Sequence, residues 1–384
     1  MIDQKYYDEF TYLKDCIYLD SASVGMQPER TLASCRAYQT DFAYHYGRSS
    51  FTGKNGSIRQ SSRDSFARLI GADADEVASV QHTTEGTSIL VDSLTFDPGD
   101  NVIVIGNDYP SVVLGWVQKQ AEGLELRLVK PENGVFTPAD IEAKMDGRTR
   151  LLAMTLVHNH TGFWPDIEAI GQICHERGVL FAVDGIQALG RIPVDVKTMH
   201  IDYLSSGTFK HLMGTFGAAY VYCRRDLQPM LKGKYYNDYN IQMELWDGDI
   251  DKGIPVLPYR SGMDVLEGGA QATYNMGCAG KSMEMLLEIG IENVRETIRS
   301  LEMAFRKALR EDLKPLLWGS DDPARQSGIL CMRVPLEKEE ALQKALDEIH
   351  AVVYLEDGLL RIAPHFFNRS KQLELVAETI NGVL

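Results

Sequence analysis

Short apolar segments alternate with helix-like segments through the middle of this 384-residue chain. The apolar segments are rich in Val, Ile and Leu, which is typical of strands that are buried on both faces of a sheet. They span residues 77–80, 101–105, 124–129, 151–157, 179–183, 203–205 and 218–223. Helices between such strands supply right-handed crossover connections. The pattern therefore predicts an α/β fold with a mainly parallel sheet covered by helices.

The character of the sequence changes in its last third. Residues 235–251 are aromatic and acidic without a clear period, which predicts a loop, and residues 267–313 are strongly helical. Strand-like and helix-like segments then alternate again from residue 328 to residue 383. We therefore expect a large domain over residues 15–265 and a smaller C-terminal α/β domain over residues 266–384, joined by residues 1–14.

Charge and composition narrow the classes of partner. The net charge of -15 argues against nucleic acid as the main partner. No apolar run is long enough to span a membrane, and the polar, acidic N-terminus does not resemble a signal peptide. The six cysteines are scattered without a Cys-x-x-Cys pair, so they predict reduced thiols in a cytoplasmic protein and give no metal signature.

Lys210 lies in a predicted turn between two strands, and Asp184 ends an earlier strand. A lysine can form a Schiff base with pyridoxal 5'-phosphate (PLP), and an aspartate can hold the pyridine nitrogen of that cofactor protonated. A surface lysine after a strand is the alternative interpretation of the same pattern.

Two further groups follow predicted strands. Thr83 and Thr84 precede a helical segment, where hydroxyls and free backbone N–H groups form an anion site for a cofactor phosphate. Tyr109 follows the next strand, where its ring can stack on a flat heteroaromatic ring. The alternatives are an ordinary threonine N-cap and a half-buried tyrosine at a proline turn.

Asn159 follows the strand predicted at residues 151–157, and its amide can donate to a phenolic oxygen on a ligand ring. The flanking His158 and His160 lack a third ligand at a suitable spacing, so we predict no metal site here. Because ligands bind at the carboxyl ends of strands in open α/β sheets, these groups and Asp184 are expected to meet at one edge.

In this order the residues resemble the fold-type-I PLP enzymes of the class V aminotransferase group. That group holds cysteine desulfurases, selenocysteine lyases, isopenicillin N epimerase-like proteins and kynureninases. The resemblance covers nearly the whole chain, and the residues that carry it are Tyr18 to Ser23, Thr83-Thr84-Glu85, Tyr109, Asn159, Asp184-x-x-Gln187, Lys210 and Arg361. It implies PLP as the cofactor, the PLP transferase fold of type I and a homodimer.

The resemblance also implies roles. Lys210 would carry the Schiff base, Asp184 would pair with the pyridinium, and Gln187 would make a second contact with the phenolic oxygen. Arg361 would grip the carboxylate of a small amino-acid substrate through its bidentate fork, with Ser23 beside it.

Several positions depart from the family pattern. Gly207 and Phe209 stand where many members carry Ser and His, so Ser206 or Thr208 would have to supply the missing phosphate contact. The segment that crosses to the partner subunit reads Gly262-Met263 instead of Gly-Thr, so backbone N–H groups or Arg260 would have to serve there. Residues 348–360 hold no cysteine, although cysteine desulfurases carry their nucleophile on the loop before the arginine.

These features predict an enzyme that acts at Cα and Cβ of a small amino acid, as a β-elimination lyase or an epimerase. A transaminase is an alternative, a cysteine desulfurase is disfavoured, and a non-catalytic PLP-binding protein is the alternative from another class. A nicotinamide-dependent dehydrogenase would need a Gly-x-Gly-x-x-Gly motif after a strand, and the sequence holds none there.

Overall fold

The computed structural model describes residues 2–45, 55–237, 240–253, 255–269 and 271–384. Its α-helices are α1 (Gln4–Tyr7), α2 (Glu29–His45), α3 (Asn55–Leu69), α4 (Thr83–Ser93), α5 (Pro110–Lys119), α6 (Pro138–Glu142), α7 (Ile167–Arg177), α8 (Thr273–Ile289), α9 (Ile291–Ala308), α10 (Leu336–Glu348) and α11 (Ser370–Val383). Its strands are β1 (Ile17–Tyr18), β2 (Val77–Val80), β3 (Asn101–Ile105), β4 (Glu125–Val129), β5 (Thr149–Thr155), β6 (Leu180–Asp184), β7 (Tyr203–Gly207), β8 (Ala219–Cys223), β9 (Leu317–Trp318), β10 (Leu330–Arg333), β11 (Ala351–Val352), β12 (Tyr354–Glu356) and β13 (Leu359–Ile362).

A seven-stranded sheet in the order β2-β8-β7-β6-β5-β3-β4 forms the centre of the larger part of the fold. The five strands from β7 to β4 are parallel, which confirms the predicted mainly parallel sheet. Strand β8 is antiparallel to both of its neighbours. Its direction follows from the connection over residues 208–218, which contains no helix and is too short for a parallel crossover.

The strand boundaries follow the predicted ones closely. Strands β2 and β3 match the predicted residues, whereas β5 begins and ends two residues earlier than predicted. Leu156 and Val157 are buried and apolar, so the sequence pattern extends past the point where the strand ends. Helix α7 ends at Arg177, and the next residue, Gly178, has a φ of 63°, the left-handed conformation expected of a glycine C-cap.

The C-terminal part is built on an antiparallel sheet in the order β12-β13-β10-β9. Strands β12 and β13 are joined by Asp357 and Gly358, which both have positive φ (51° and 74°) as a two-residue type I′ turn requires. The apolar faces of α9, α10 and α11 pack with this sheet in one core cluster. The helical stretch predicted at residues 267–313 is divided at Gly290, between α8 and α9.

We propose that the domain boundary lies near residue 265 and that residues 1–14 belong with the C-terminal part. Phe10 supports this division because its ring stacks on Phe367, with centroids 4.5 Å apart, and meets Phe366 edge to face. In the predicted loop over residues 235–251, the described residues include two short 3-10 turns, Met243–Leu245 and Ile250–Lys252. Among the described residues, no helix combines the length and the apolar character that a membrane span requires.

Candidate active site

A cavity of about 490 Å³ opens at the carboxyl ends of the parallel strands. Its lining residues are Ala22, Ser23, His82, Thr83, Thr84, Tyr109, Ser111, Asn159, Asp184, Ile186, Phe209, Lys210, Tyr354 and Arg361. Eight of the residues proposed from the sequence are therefore brought together, from five strand ends, the N-terminal segment and the small sheet. The cavity has the size and the mixed polar lining of a small-molecule site.

Lys210 lies on the loop between β7 and β8, with its Nζ 5.7 Å from the centroid of the Tyr109 ring. Burial lowers the pKa of Lys210 to about 8, although the charge of Asp184 opposes this shift. A lowered pKa places more of the lysine in the neutral form that adds to an aldehyde. The loop is held by Gly25, whose N–H donates to the Phe209 carbonyl oxygen at 2.8 Å.

Gly25 is a residue that the sequence reasoning missed. A Cβ atom at this position would overlap the carbonyl oxygen of Lys210, so only glycine allows so close an approach of the two backbones. The neighbouring tyrosine-to-serine motif drew attention to Tyr18 and Ser23 but gave no sign of this contact.

Asp184 ends β6 inside the cavity and is almost fully buried. Its Oδ1 accepts a hydrogen bond from the Ile186 N–H at 2.8 Å. Burial raises the pKa of Asp184 to about 7, against the lowering effects of that hydrogen bond and of the Lys210 charge. A carboxylate that is buried in this way is stabilised by a cationic hydrogen-bond donor placed in the cavity.

The N-terminus of α4 points into the cavity. Thr83 and Thr84 occupy the first two helical positions, whose N–H groups have no acceptor within the helix. His82 caps the helix by accepting the Glu85 N–H at its Nδ1, at 3.0 Å. The Thr83 Oγ1 accepts the Gly207 N–H at 2.8 Å, which joins this helix end to the strand before Lys210. The two free N–H groups and the helix dipole suit an anion.

Tyr109 is 44% exposed, so its ring offers a free surface to the cavity. The buried Asp108 fixes the turn that carries it, since its two carboxylate oxygens accept the N–H groups of Tyr109 (2.6 Å) and Thr155 (2.8 Å). Asn159 lies across the cavity, where it lines the wall. His158 hydrogen-bonds through its Nε2 to the Asn107 carbonyl oxygen at 2.8 Å.

Arg361 extends from β13 into the cavity and is 5% exposed. Its Nη2 donates to the Ser23 Oγ at 2.6 Å and lies 3.3 Å from the Asp20 carboxylate, and its Nη1 donates to the Asn159 carbonyl oxygen at 3.3 Å. Its buried Nε has no partner among the described residues. The guanidinium lies 4.8 Å from the centroid of the Tyr354 ring. This arrangement leaves donor capacity for one further anionic group.

Three predicted residues lie behind the cavity wall. Gln187 donates from its amide nitrogen to the Ala22 carbonyl oxygen at 3.0 Å, and its Oε1 lies 2.9 Å from the His211 Nε2. Ser206 donates to the Gly207 carbonyl oxygen at 3.1 Å, and Thr208 lies close to the carbonyl oxygens of two later loop residues. The proposed cofactor contacts of these three side chains stay predictions.

Other lining residues were not predicted as site residues. Tyr354 could have been found from the sequence. The two-residue turn at Asp357-Gly358 sets the register of β12 and β13, and this register places Tyr354 directly opposite Arg361. Ser111, near the start of α5, carries a buried hydroxyl without a partner among the described residues. Phe209 stacks on Phe216, with ring centroids 4.5 Å apart.

The sequence profile described as aminotransferase class-V matches residues 17–358, most of the chain. The chain belongs to the class-V aminotransferase family. Its cofactor is therefore PLP, and the protein is a PLP-dependent enzyme of this family.

Individual relatives cover nearly the whole length of the chain. A protein of Methanothermobacter thermautotrophicus named probable cysteine desulfurase is 26% identical, over 97% of this chain and 95% of its own. Among solved structures, a cysteine desulfurase from Thermococcus onnurineus superposes with a TM-score of 0.87 at 20% identity, covering 100% and 99% of the two chains. The cystine C-S lyase C-DES, solved with its product cysteine persulfide, gives a TM-score of 0.82 at 19% identity and covers 96% and 98%. These two structures confirm the fold.

The residues of the cavity fit the cofactor. The free N–H groups of Thr83 and Thr84 suit its phosphate, and the buried carboxyl of Asp184 suits its ring nitrogen. The exposed ring of Tyr109 offers a stacking surface beside Lys210. Among the described residues, no cluster of three or more His, Cys, Asp or Glu side chains is placed to hold a metal ion.

Proposed function

We propose that this protein is a PLP-dependent lyase that eliminates a β substituent from a small α-amino acid. The proposal rests on which side chains line the cavity and which do not. Lys210, Asp184 and Arg361 converge there, while none of the six cysteines, which all lie in the described part of the chain, lines it. The site thus offers a base and a carboxylate-binding group without a thiol nucleophile.

When bound, PLP supplies an aldehyde that links to amines and a protonated ring that accepts electron density from a broken Cα–H bond. Asp184 holds the ring nitrogen protonated, and the N-terminus of α4 binds the phosphate. Arg361 binds the substrate carboxylate and orients Cα. The Lys210 amine would take the proton from Cα. Loss of the β substituent, which leaves with a proton, gives an enamine that tautomerises to an imine, and one water molecule hydrolyses this imine to a 2-oxo acid and ammonia.

A cysteine desulfurase is the second candidate, because a full-length relative at 26% identity carries that name. Of the six cysteines, Cys331 is the one whose strand position lies opposite a site residue, since it faces Arg361 in the register of β10 and β13. Its side chain is 1% exposed, and burial raises the pKa of its thiol to about 12. A thiol that is so buried and so weakly acidic is a poor nucleophile at neutral pH.

The products formed from L-cysteine separate these two candidates. The lyase reaction gives pyruvate, ammonia and sulfide, whereas desulfuration gives alanine and leaves sulfur on the enzyme. We expect pyruvate to accompany ammonia in equal amounts with cysteine or with a β-substituted alanine that has a better leaving group. Alanine as the main product, with enzyme-bound persulfide, would establish the desulfurase. Inversion at Cα without either product would establish an epimerase.

Arg361→Ala is expected to raise the KM for the amino-acid substrate roughly 100-fold, because the loss of a buried charge pair costs on the order of 3 kcal/mol. Steady-state kinetics with the substrate found above measure this effect. The Arg361→Lys variant should recover part of the loss, since it keeps the charge without the planar fork.

Arg333→Ala provides the matched control, because Arg333 lies on the neighbouring strand β10 with its guanidinium over Trp318, outside the cavity. We expect an unchanged KM for this variant. An unchanged KM in Arg361→Ala would instead show that the substrate carboxylate binds elsewhere.

We also propose that the chain forms a homodimer through an apolar face beside the candidate crossing segment, Tyr259 to Met263. A bridge between Ile241 and Tyr259 holds two stretches of this face together. Tyr236, Leu245 and Val256, which lie in the chain segments near this bridge, are largely exposed. Exposed apolar groups in such number are typical of a surface that is covered in the assembly.

Light scattering is expected to give twice the mass of one chain. The double variant Leu245→Asp, Val256→Asp should shift the mass toward the monomer, since it places charges within the apolar face. Leu336→Asp changes a residue that is 70% exposed at the start of α10 and should leave the dimer intact. A monomeric wild-type protein with full activity would contradict this assembly.

A further inference from the structure

Two cysteines lie on facing surfaces of α2 and α8, outside the cavity. Thr31, Cys35 and Tyr38 share one face of α2 because they are spaced four and three residues apart. The Thr31 Oγ1 lies 3.4 Å from the Cys278 carbonyl oxygen. The ring centroids of Tyr38 and Tyr274 lie 5.6 Å apart. The two helices therefore run antiparallel, and Cys35 faces the turn of α8 that carries Cys278.

The two thiols differ in access to solvent. Cys35 is partly exposed, whereas Cys278 is buried. Burial, followed by the hydrogen bond with the Cys35 thiol, raises the pKa of Cys278 above its ordinary value. Cys35 is thus the thiol that a dissolved oxidant reaches, and Cys278 is a protected thiol next to it.

We propose that Cys35 and Cys278 form a dithiol site that hydrogen peroxide oxidises to a disulfide. The Cys35 sulfur attacks one peroxide oxygen, the O–O bond breaks, and Cys35 becomes a sulfenic acid while one water leaves. The Cys278 sulfur then attacks the Cys35 sulfur, the S–O bond breaks, and a second water leaves with the Cys278 proton. One hydrogen peroxide accepts the two electrons that the two thiols lose.

The disulfide would restrain the loop that carries Lys210. Ahead of α2, the Gln27 Nε2 donates to the Gly214 carbonyl oxygen at 3.0 Å. Near the start of α8, the Asn275 Nδ2 donates to the Phe216 carbonyl oxygen at 2.6 Å. Because the lysine loop is held between the starts of these two helices, a covalent bond between the helices limits its motion.

Treatment of the reduced protein with hydrogen peroxide, followed by digestion without reductant and mass spectrometry, tests the site directly. We expect a cross-linked peptide pair that contains Cys35 and Cys278, and a fall in titratable thiols of the unfolded chain from six to four. A thiol reductant should reverse both changes. Cys35→Ser should remove the cross-link, and Cys16→Ser, which changes another partly exposed cysteine, should retain it. A disulfide between two chains, a bond to Cys16 or a lasting sulfenic acid on Cys35 would overturn the proposal.

Hydrogen exchange measures the effect on the loop without reference to turnover. Backbone amides of residues 209–216 should exchange several-fold more slowly in the oxidised wild type than in the reduced protein. The Cys35→Ser variant should show no such difference after the same treatment. A wild-type disulfide that leaves this exchange unchanged would contradict the restraint of the lysine loop.

Discussion

Replacement of Lys210 by alanine is expected to abolish turnover, with a loss on the order of 10⁴-fold or more, because both the covalent link to PLP and the base at Cα disappear. The visible absorbance of the purified protein should disappear with it. The side chain projects into the cavity from a loop that is held by backbone contacts, so the variant should fold with little change in melting temperature. Steady-state rates and the absorbance spectrum measure the two effects.

Lys197→Ala is a suitable control, because Lys197 lies on the surface with its Nζ 3.3 Å from the Asp73 carboxylate and does not line the cavity. This variant should keep its colour and its rate. A Lys210→Ala protein that retains the wild-type spectrum would remove Lys210 as the anchor of the cofactor.

Asp184→Asn is expected to retain PLP but to lose turnover by roughly 100- to 1000-fold, since a preorganised electrostatic group of this kind is worth about 3–4 kcal/mol in the transition state. A neutral amide cannot hold the ring nitrogen protonated. The residues that bind the phosphate and the link to Lys210 are the same in this variant. Cofactor content by absorbance and kcat under saturating substrate separate binding from chemistry.

Asp202→Asn serves as its control, since Asp202 is a buried carboxylate that accepts the Phe181 N–H at 2.9 Å away from the cavity. It should change stability more than turnover. Near-normal kcat in Asp184→Asn would remove Asp184 from the mechanism.

Most of the large sheet could be predicted from the sequence because six of its seven strands, all except β4, are largely buried and therefore have short apolar sequences. The direction of β8 could not be predicted from its own residues, since a buried antiparallel strand carries the same apolar pattern as a parallel one. The antiparallel direction follows instead from the connection over residues 208–218, which is too short for a parallel crossover. The division of the helical stretch at Gly290 was likewise missed, because the apolar pattern continues across it.

The sequence predicts those site residues that lie at the ends of strands. Thr83, Tyr109, Asn159, Asp184 and Lys210 each follow or end a strand, so their meeting at one edge follows from the topology. The orientation of a side chain just behind that edge depends on tertiary partners. The Gln187 amide hydrogen-bonds to Ala22 in the N-terminal segment and contacts His211 on the loop that carries Lys210. Because both partners are distant from Gln187 in the sequence, no local pattern shows where its amide points.

Reduction of the purified protein with borohydride, followed by peptide mapping, tests directly whether Lys210 anchors PLP in this cavity. We expect the visible band to disappear and a single pyridoxyl group to be found on the peptide containing Lys210. A pyridoxyl group on a different lysine, with Lys210 unmodified, would contradict it.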